Sequence, residues 1–527
     1  MGSLFLSGFM GTGKSTLGPR VAAKLGLPFV DTDALVATRG GRTVADLLRA
    51  DERAFRALEE AVVLELVASP VAQVVALGGG ALVSRRSRRA ALGAGVVVTL
   101  RASSEAIVAR TRTGTSGVGG DHARPLLEGD PVARVHELLS ARAGAYAECH
   151  GEVFTDVLDE DASVDAISSI YQGNPLVVPL SDRSYRVHVV HDVPSALTDV
   201  VAQLGPSGVL AVTDSHVLRA RGAALEKALG AIATPHRTCT LPPGEEHKRL
   251  STVDTLWEAA VAQGLDRDGI FVAFGGGVVG DLTGFAAATL YRGVRAVQVP
   301  TTLLAMVDAS VGGKTGFDLP AGKNLVGAFF QPSAVVVDLA HLSTLPIRHR
   351  RAGLAEVAKM ALLFDGGLVE ELRSRAVEMV TGPPEALRDV VRRCIALKAD
   401  VVARDEKDRG DRALLNFGHT IGHAIEAHGR YTKYLHGEAV AMGMVAELTY
   451  AHGRGLVGHE VLESTRGLLT ALGLPTEASR SELAGSASYL EVDKKRRQGR
   501  VGLPMADSVG KGTILDVALS ELVSFMR

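Results

Sequence analysis

Leu4-Phe5-Leu6-Ser7-Gly8-Phe9-Met10-Gly11-Thr12-Gly13-Lys14-Ser15 runs an apolar, strand-like segment straight into the pattern G-x-x-x-x-G-K-[ST]. Glycines at these positions let backbone N–H groups converge on phosphate oxygens. Lys14 adds a positive charge, and the Ser15 hydroxyl can bind Mg²⁺. The helix expected from about Ser15 aims the positive end of its dipole at the same phosphates. Leu17, Val21 and Leu25 recur along it at four-residue steps. Strand before and helix after are the context that turns a glycine-rich turn into a phosphate-binding loop.

Outward from this loop, apolar runs at Leu4–Ser7, Pro28–Val30, Val74–Leu77 and Val96–Leu100 alternate with amphipathic stretches to about residue 170. That alternation predicts an α/β unit with a parallel sheet over residues 1–172. Two prolines and a glycine between 173 and 184 mark a linker. Strand-like runs resume at Val187–Val190, Val209–Thr213, Ile270–Phe274, Ala296–Val299 and Val335–Val337, predicting a second α/β domain over 185–340. Helical periods dominate 341–527, which reads as mainly α. The expected architecture is a P-loop kinase domain followed by a Rossmann-like α/β domain and a mainly α-helical domain.

The 527 residues carry a net charge of −2. No broad basic surface follows, so nucleic acid is excluded as an expected partner. Cys149, Cys239 and Cys394 stand far apart and outside any C-x-x-C, which points to a reducing compartment. The first residues lack a basic segment followed by an apolar one. No apolar run approaches the ~18 residues of a membrane span. A soluble, cytoplasmic protein is expected.

Asp31-Thr32-Asp33 ends the second strand-like run. Carboxylates at i and i+2 on a strand point the same way. One can hold Mg²⁺ through water while the other orients or deprotonates a hydroxyl. An isolated pair reads equally well as a helix N-cap and a surface acid. Phe55-Arg56 with Glu59, Leu77-Gly78-Gly79-Gly80-Ala81, Arg124-Pro125-Leu126-Leu127, and Arg142 with Tyr146 follow in order. Together these residues resemble shikimate kinase over nearly all of 1–170. The resemblance implies that ATP is held by Gly11, Thr12, Gly13, Lys14, Ser15, Thr16 and Arg124, and Mg²⁺ by Ser15 and Asp31. It implies that shikimate is held by Asp33, Arg56, Gly78, Gly79, Gly80 and Arg142. Catalytic roles would fall to Lys14, Asp33 as base, and Arg124 beside a lid at Thr113 to His122. Bidentate arginines suit an acid better than a neutral sugar. Gly144 stands where the family often has proline.

Phe271–Asp281 is a second strand entering a glycine turn, with Gly275, Gly277 and Gly280 satisfying G-x-G-x-x-G. A standard dinucleotide unit places an acid ~20 residues later to hold the ribose. Residues 295–302 offer none, and Asp214, ending the strand Val209–Thr213, is the upstream candidate. A polar run follows from Pro300 to Gly316, then Gly322-Lys323-Asn324. Glu356 and Lys359 lie one helical turn apart. Arg412, Asn416, His419 and His423 step by four, three and four, and His436 opens the next segment. One carboxylate and two imidazoles can hold Zn²⁺ and leave a position for substrate. The long spacing does not by itself show a metal site.

These runs resemble 3-dehydroquinate synthase over about 180–527, as do Pro243-Gly244-Glu245, Lys248 and Asp493-Lys494-Lys495. The resemblance implies NAD contacts at Asp214, Glu245, Lys248, Gly276, Gly277, Asp281, Thr301, Thr302, Lys314, Lys323 and Thr344. Substrate contacts would be Asp308, Lys314, Lys323, Asn324, Lys359, Lys398, Arg412, Asn416 and His423, with Arg292 supplied by the partner in a homodimer. Lys314, Lys359, Arg412 and His423 would be catalytic. Glu356, His419 and His436 would hold Zn²⁺ or Co²⁺. His349 and Met306 depart from the commoner glutamate and glutamine.

A bifunctional shikimate-pathway enzyme is therefore expected. Its phosphotransferase half would convert shikimate to shikimate 3-phosphate with MgATP. Its lyase half would convert 3-deoxy-D-arabino-heptulosonate 7-phosphate to 3-dehydroquinate and phosphate, with NAD accepting and returning a hydride. The competing reading is a small hydroxy-acid kinase fused to another sugar-phosphate cyclase or to a metal-dependent polyol dehydrogenase. Lys314, Lys323-Asn324 and Lys359 favour a phosphorylated substrate over a simple polyol.

Overall fold

The computed structural model describes residues 2–112, 130–320, 322–490 and 499–527. The chain forms two compact units, Met1–Arg186 and Val187–Arg527.

The first unit is built on strands β1 (Ser3–Gly8), β2 (Phe29–Asp31), β3 (Val74–Ala76), β4 (Gly95–Arg101) and β5 (Gly151–Phe154), in the order β2-β3-β1-β4-β5. All of its pairings are parallel. Every residue of the central β1 is buried, as expected for a strand covered on both faces. Side chains alternate between those faces. Leu4 and Leu6 pack with Leu17 and Val21 of helix Lys14–Leu25 and with Ile167 and Tyr171 of helix Glu160–Gly173. Phe5 packs with Val63 and Ala91 of helices Glu52–Val67 and Arg85–Ala94. The helix after the phosphate-binding loop begins at Lys14, capped by Gly13 at φ +96°, a conformation open to glycine because it lacks Cβ. The stretch 173–184 carries a short strand β6 (Leu176–Val178) and a single 3₁₀ turn, Ser181–Arg183.

The second sheet continues from β7 (Tyr185–Val190) through β8 (Val209–Asp214), β9 (His236–Leu241), β10 (Ile270–Gly275) and β11 (Arg295–Pro300). An antiparallel ribbon of β12 (Lys314–Leu319) and β13 (Gly322–Phe329) precedes β14 (Ala334–Asp338). The strands lie in the order β7-β14-β11-β10-β8-β9, with parallel pairing from β14 through β9. The glycine turn joins β10 to helix Gly277–Thr289 at the carboxyl ends of the strands, where open α/β sheets bind ligands.

Helices then dominate, including Ile347–Phe364, Arg388–Arg404, His419–His428 and His436–Gly453. The architecture is the expected one, with antiparallel pairs added that the sequence did not suggest: the β12–β13 ribbon and a later hairpin. An antiparallel hairpin, β15 (Arg500–Ser508) with β16 (Lys511–Ala518), lies near the end of a region read as helical. Val501, Leu503 and Met505 are buried along it, and so are Pro504 and Ala506; glycine and proline among the apolar residues obscure the strand in the sequence.

Candidate active sites

In the first unit, Lys14 is buried and its Nζ donates to the carbonyls of Gly8 (2.7 Å) and Phe9 (2.8 Å). The lysine thus lies folded over its own loop. The Ser15 hydroxyl donates to Asp31 Oδ2 at 2.8 Å, while Asp31 Oδ1 accepts from the backbone N–H of Asp33 at 2.9 Å. Asp31 therefore caps helix Thr32–Gly40 and reaches the loop serine at once. The expected strand placement of the acidic pair is corrected here. β2 ends at Asp31, and the cap starts a helix that contains Asp33.

Asp33 opens to solvent at the mouth of its pocket but is crowded by protein on its other sides. That desolvation, with the Asp31 charge adding to it, raises its carboxyl to about 6. Gly78 faces it: a Cβ there would stand 2.5 Å from Glu59 Oε1 and 2.8 Å from Asp33 Oδ1. A Cβ on Gly80 would collide with Arg56 Nη1. The Gly79 carbonyl accepts from Arg142 Nη1 (3.0 Å) and the Tyr146 hydroxyl (2.6 Å). Buried Glu59 accepts from Arg56 Nη1 at 2.7 Å. Desolvation raises the Glu59 carboxyl although Arg56 opposes it. Two guanidinium groups and two carboxylates thus surround the glycine run. Thr12 is buried beside Lys14, and Thr16 is exposed on the first turn of the helix that Gly13 caps. Arg124 and the lid at 113–122 lie outside the described residues. Arg110 went unread in the sequence: its guanidinium donates to the Gly11 carbonyl and to both oxygens of Thr155. A lone arginine on a short surface helix gave no signal.

In the second unit, three helices supply the metal candidates. Glu356 lies mid-helix in Ile347–Phe364, while His419 and His436 each open a helix. Glu356 Oε1 is 3.5 Å from Nε2 of both histidines. His419 Nδ1 is 3.1 Å from the Phe417 carbonyl, and His436 Nδ1 is 3.0 Å from Glu426 Oε2. Each acceptor places the proton on Nδ1 and leaves Nε2 with a lone pair turned toward Glu356. One carboxylate oxygen and two such nitrogens suit Zn²⁺ or Co²⁺. The structure also draws in His423, whose ligand atom lies within 4.8 Å of those of His419 and His436. It is the exposed member of the three.

Around the cluster, Glu356 pairs with the buried Lys359. Lys398 Nζ bonds both the carbonyl and the carboxylate of Asp308. Burial lowers Lys398 to about 8 even though Asp308 pulls upward. Against desolvation, Lys398 and Lys359 hold the Asp308 carboxyl well below its usual range. Arg412 is buried and donates to the carbonyls of Glu406 (2.7 Å) and Gly312 (2.9 Å). Lys314 pairs with Asp408 at a more open position. Asn416 donates to the Ala413 carbonyl at 3.2 Å.

The dinucleotide candidates other than Lys314 fall into two groups. A cavity of about 370 Å³ is lined by Asp214, Gly276, Gly277, Thr301, Thr302 and Thr344, together with His216, Arg221, His341 and His349. Asp214 ends β8, directly beside β10, and caps the next helix through His216 N and Val217 N. The other candidates form a polar chain. Lys248 Nζ lies 2.6 Å from Asp281 Oδ2 and donates to Asn324 Oδ1 at 2.6 Å. Lys323 Nζ lies 3.3 Å from Glu245 Oε1 and 3.2 Å from Glu426 Oε1. Arg292 is exposed in the turn Leu290–Arg292 and makes no ion pair among the described residues. Glu426 stands outside the residues expected from the sequence, although His419, His423 and Glu426 follow the spacing of one helix face.

Comparison with known proteins bears on both units. Residues 10–171 match the family model for shikimate kinase. Residues 238–352 and 353–496 match those for the N-terminal and C-terminal parts of 3-dehydroquinate synthase. The 3-dehydroquinate synthase of Acidithiobacillus ferrooxidans is 45% identical over 341 residues, covering 64% of this chain and 93% of that protein. That of Nostoc punctiforme is 40% identical over 353 residues, covering 66% of this chain and 96% of that protein. Among solved structures, 2-deoxy-scyllo-inosose synthase complexed with carbaglucose-6-phosphate, NAD⁺ and Co²⁺ is 27% identical. It has a TM-score of 0.62 and covers 67% of this chain and 99% of that one. The 2-epi-5-epi-valiolone synthase from Streptomyces hygroscopicus subsp. jinggangensis, with NAD⁺ and Zn²⁺ bound, is 29% identical with a TM-score of 0.59. It covers 65% of this chain and 95% of that one.

Proposed function

The chain belongs to the 3-dehydroquinate synthase family and carries a shikimate kinase domain ahead of the synthase, and from that premise we propose how its residues divide the two reactions. It is a bifunctional shikimate-pathway enzyme. One half phosphorylates shikimate to shikimate 3-phosphate, and the other converts 3-deoxy-D-arabino-heptulosonate 7-phosphate to 3-dehydroquinate and phosphate. The competing reading, a small hydroxy-acid kinase fused to another sugar-phosphate cyclase or to a metal-dependent polyol dehydrogenase, is not favoured beside the shikimate kinase match and the synthase relatives' 45% and 40% identity.

In the kinase half, bound Mg²⁺ supplies charge neutralisation on the ATP phosphates, held from Ser15 and Asp31. Lys14 exchanges its two loop carbonyls for phosphate oxygens, beside the backbone of Gly11 to Thr16. Arg56 and Arg142 grip the substrate carboxylate, and Arg124 adds a third cation. The Gly78–Gly80 backbone leaves room for the ring. Asp33 accepts the proton of the attacking hydroxyl, a task suited to a carboxyl raised toward neutrality.

In the synthase half, NAD⁺ and Zn²⁺ or Co²⁺, when bound, supply a hydride acceptor and a Lewis acid. Glu356, His419 and His436 hold the metal, and their convergence beside Lys359 is the observation that carries this reading. Asp214 holds a ribose, and Gly276 and Gly277 bring a pyrophosphate to a helix N-terminus. Thr301, Thr302 and Thr344 line that site, while Glu245, Lys248, Asp281, Lys314 and Lys323 complete it toward the metal. Lys314, Lys359 and Arg412 neutralise phosphate and carboxylate, with Asp308, Lys323, Asn324, Lys398 and Asn416 fixing the substrate's other polar groups. His423 exchanges a proton with substrate from the open side. A homodimer through the synthase half would give the exposed Arg292 its role in the partner's site. No helix of the described residues is long and apolar enough to cross a membrane, and the three cysteines are free, which supports a cytoplasmic setting.

Metal analysis of two variants tests the synthase assignment. His419→Ala loses metal and synthase activity together, whereas His423→Ala keeps the metal and loses activity. The reverse pattern would exchange their roles.

A further inference from the structure

Glu426 belongs to neither set of residues assigned above, yet it touches both. Its side chain is 2% exposed. One carboxylate oxygen, Oε2, accepts from His436 Nδ1 at 3.0 Å. The other, Oε1, accepts from Lys323 Nζ at 3.2 Å. Lys323 is held on three sides: by Glu426, by Glu245 Oε1 at 3.3 Å, and by the Tyr431 ring, whose centroid is 4.6 Å from Nζ. Beyond Glu245, Lys248 Nζ lies 4.0 Å from Glu245 Oε1 and 2.6 Å from Asp281 Oδ2. A continuous row of polar side chains therefore runs from Glu356 through His436, Glu426, Lys323, Glu245 and Lys248 to Asp281, carboxylates alternating with the imidazole and the two lysines.

We propose that Glu426 is a positioning residue that makes metal and dinucleotide bind cooperatively, one oxygen orienting His436 and the other placing Lys323. The inference rests on the metal and dinucleotide assignments above. A carboxylate accepting from Nδ1 of a ligating imidazole fixes its tautomer and ring orientation, and loss of such a partner typically weakens metal binding 10–100-fold. Because the same carboxylate also fixes Lys323, ordering it for one ligand orders it for the other. The second ligand then binds a site already arranged, and linkage makes the effect reciprocal.

The test is titration calorimetry of NAD⁺ into the full-length protein, with and without saturating Zn²⁺, alongside Zn²⁺ titrations. Wild type should bind NAD⁺ at least ~5-fold more tightly with Zn²⁺ present, the low end of typical coupling. Glu426→Gln, nearly isosteric, should bind Zn²⁺ ~10–100-fold more weakly and, once Zn²⁺ is saturating, show equal NAD⁺ affinity in both conditions. Lys323→Gln should keep its Zn²⁺ affinity and lose the coupling, so the proposal stays testable even if the Glu426 variant does not fold. Coupling undiminished in Glu426→Gln or in Lys323→Gln, or a wild type that binds both ligands independently, overturns it. A wild type that binds neither Zn²⁺ nor NAD⁺ would instead overturn the underlying assignment of the site.

Discussion

Gly78→Ala asks whether the kinase pocket is built as described, because it adds one methyl group between two carboxylates. The added Cβ would stand 2.5 Å from Glu59 Oε1 and 2.8 Å from Asp33 Oδ1. Ordinary contact is about 3.5–4.0 Å, so each oxygen must retreat by roughly 0.5–1.5 Å. Gly78 is not among the glycines with positive φ, so alanine meets a contact problem rather than backbone strain. Retreat of Glu59 loosens its 2.7 Å hold on Arg56, and retreat of Asp33 moves the proposed base. Misplacement by about 1 Å costs on the order of 100-fold in rate, equivalent to ~2.7 kcal/mol of transition-state stabilisation. Steady-state shikimate phosphorylation should therefore fall ~100-fold in kcat/KM, while phosphate release by the synthase half stays at the wild-type level. Gly93→Ala is the control, since a Cβ there meets nothing within 4 Å, and it should leave both activities unchanged. Full kinase activity in Gly78→Ala would refute the placement of Asp33 and Glu59 around this glycine.

Three further outcomes follow. The raised Asp33 carboxyl must be ionised to accept a proton, so kinase kcat/KM should fall as pH drops through about 6. A profile flat to pH 5 would remove Asp33 from the role of base. Chelation should abolish synthase activity, and Zn²⁺ or Co²⁺ should restore it, while the kinase recovers with Mg²⁺ alone. Restoration of the synthase by Mg²⁺ alone would contradict the nitrogen-rich donor set. Leu503, fully buried in the β15–β16 hairpin, should cost ~2–5 kcal/mol when replaced by alanine. Chemical denaturation reads that loss, and a change below ~1 kcal/mol would mean the hairpin lies outside the cooperative core.

The phosphate-binding loop was legible because its physics is local: a buried strand, a glycine turn and a helix start occupy one short stretch. The alternation of Leu4 and Leu6 against Phe5 likewise reports two covered faces of one strand. Asp31 and Asp33 mislead for an equally local reason, because the carboxylate that reaches Ser15 also caps a helix and ends the strand two residues early. The metal cluster brings Glu356 together with His419 and His436 from two later helices. Spacing therefore yielded candidates, and only tertiary packing placed Glu356 Oε1 equidistant from two imidazoles. Glu426 lay on the same helix face as His419 and His423, but sequence does not reveal that its partners are His436 and Lys323. The hairpin at β15–β16 shows the reverse case: Val501, Leu503 and Met505 are apolar and buried, but the glycine and proline between them masked the strand.

The central claim is that one chain holds two independent active sites of the assigned kinds. The most direct measurement assays full-length Lys14→Ala and His419→Ala proteins for both reactions side by side. Lys14→Ala should lose shikimate phosphorylation and retain 3-dehydroquinate formation. His419→Ala should lose 3-dehydroquinate formation and its bound metal and retain phosphorylation. Loss of both activities in either variant, or retention of both, would contradict the account.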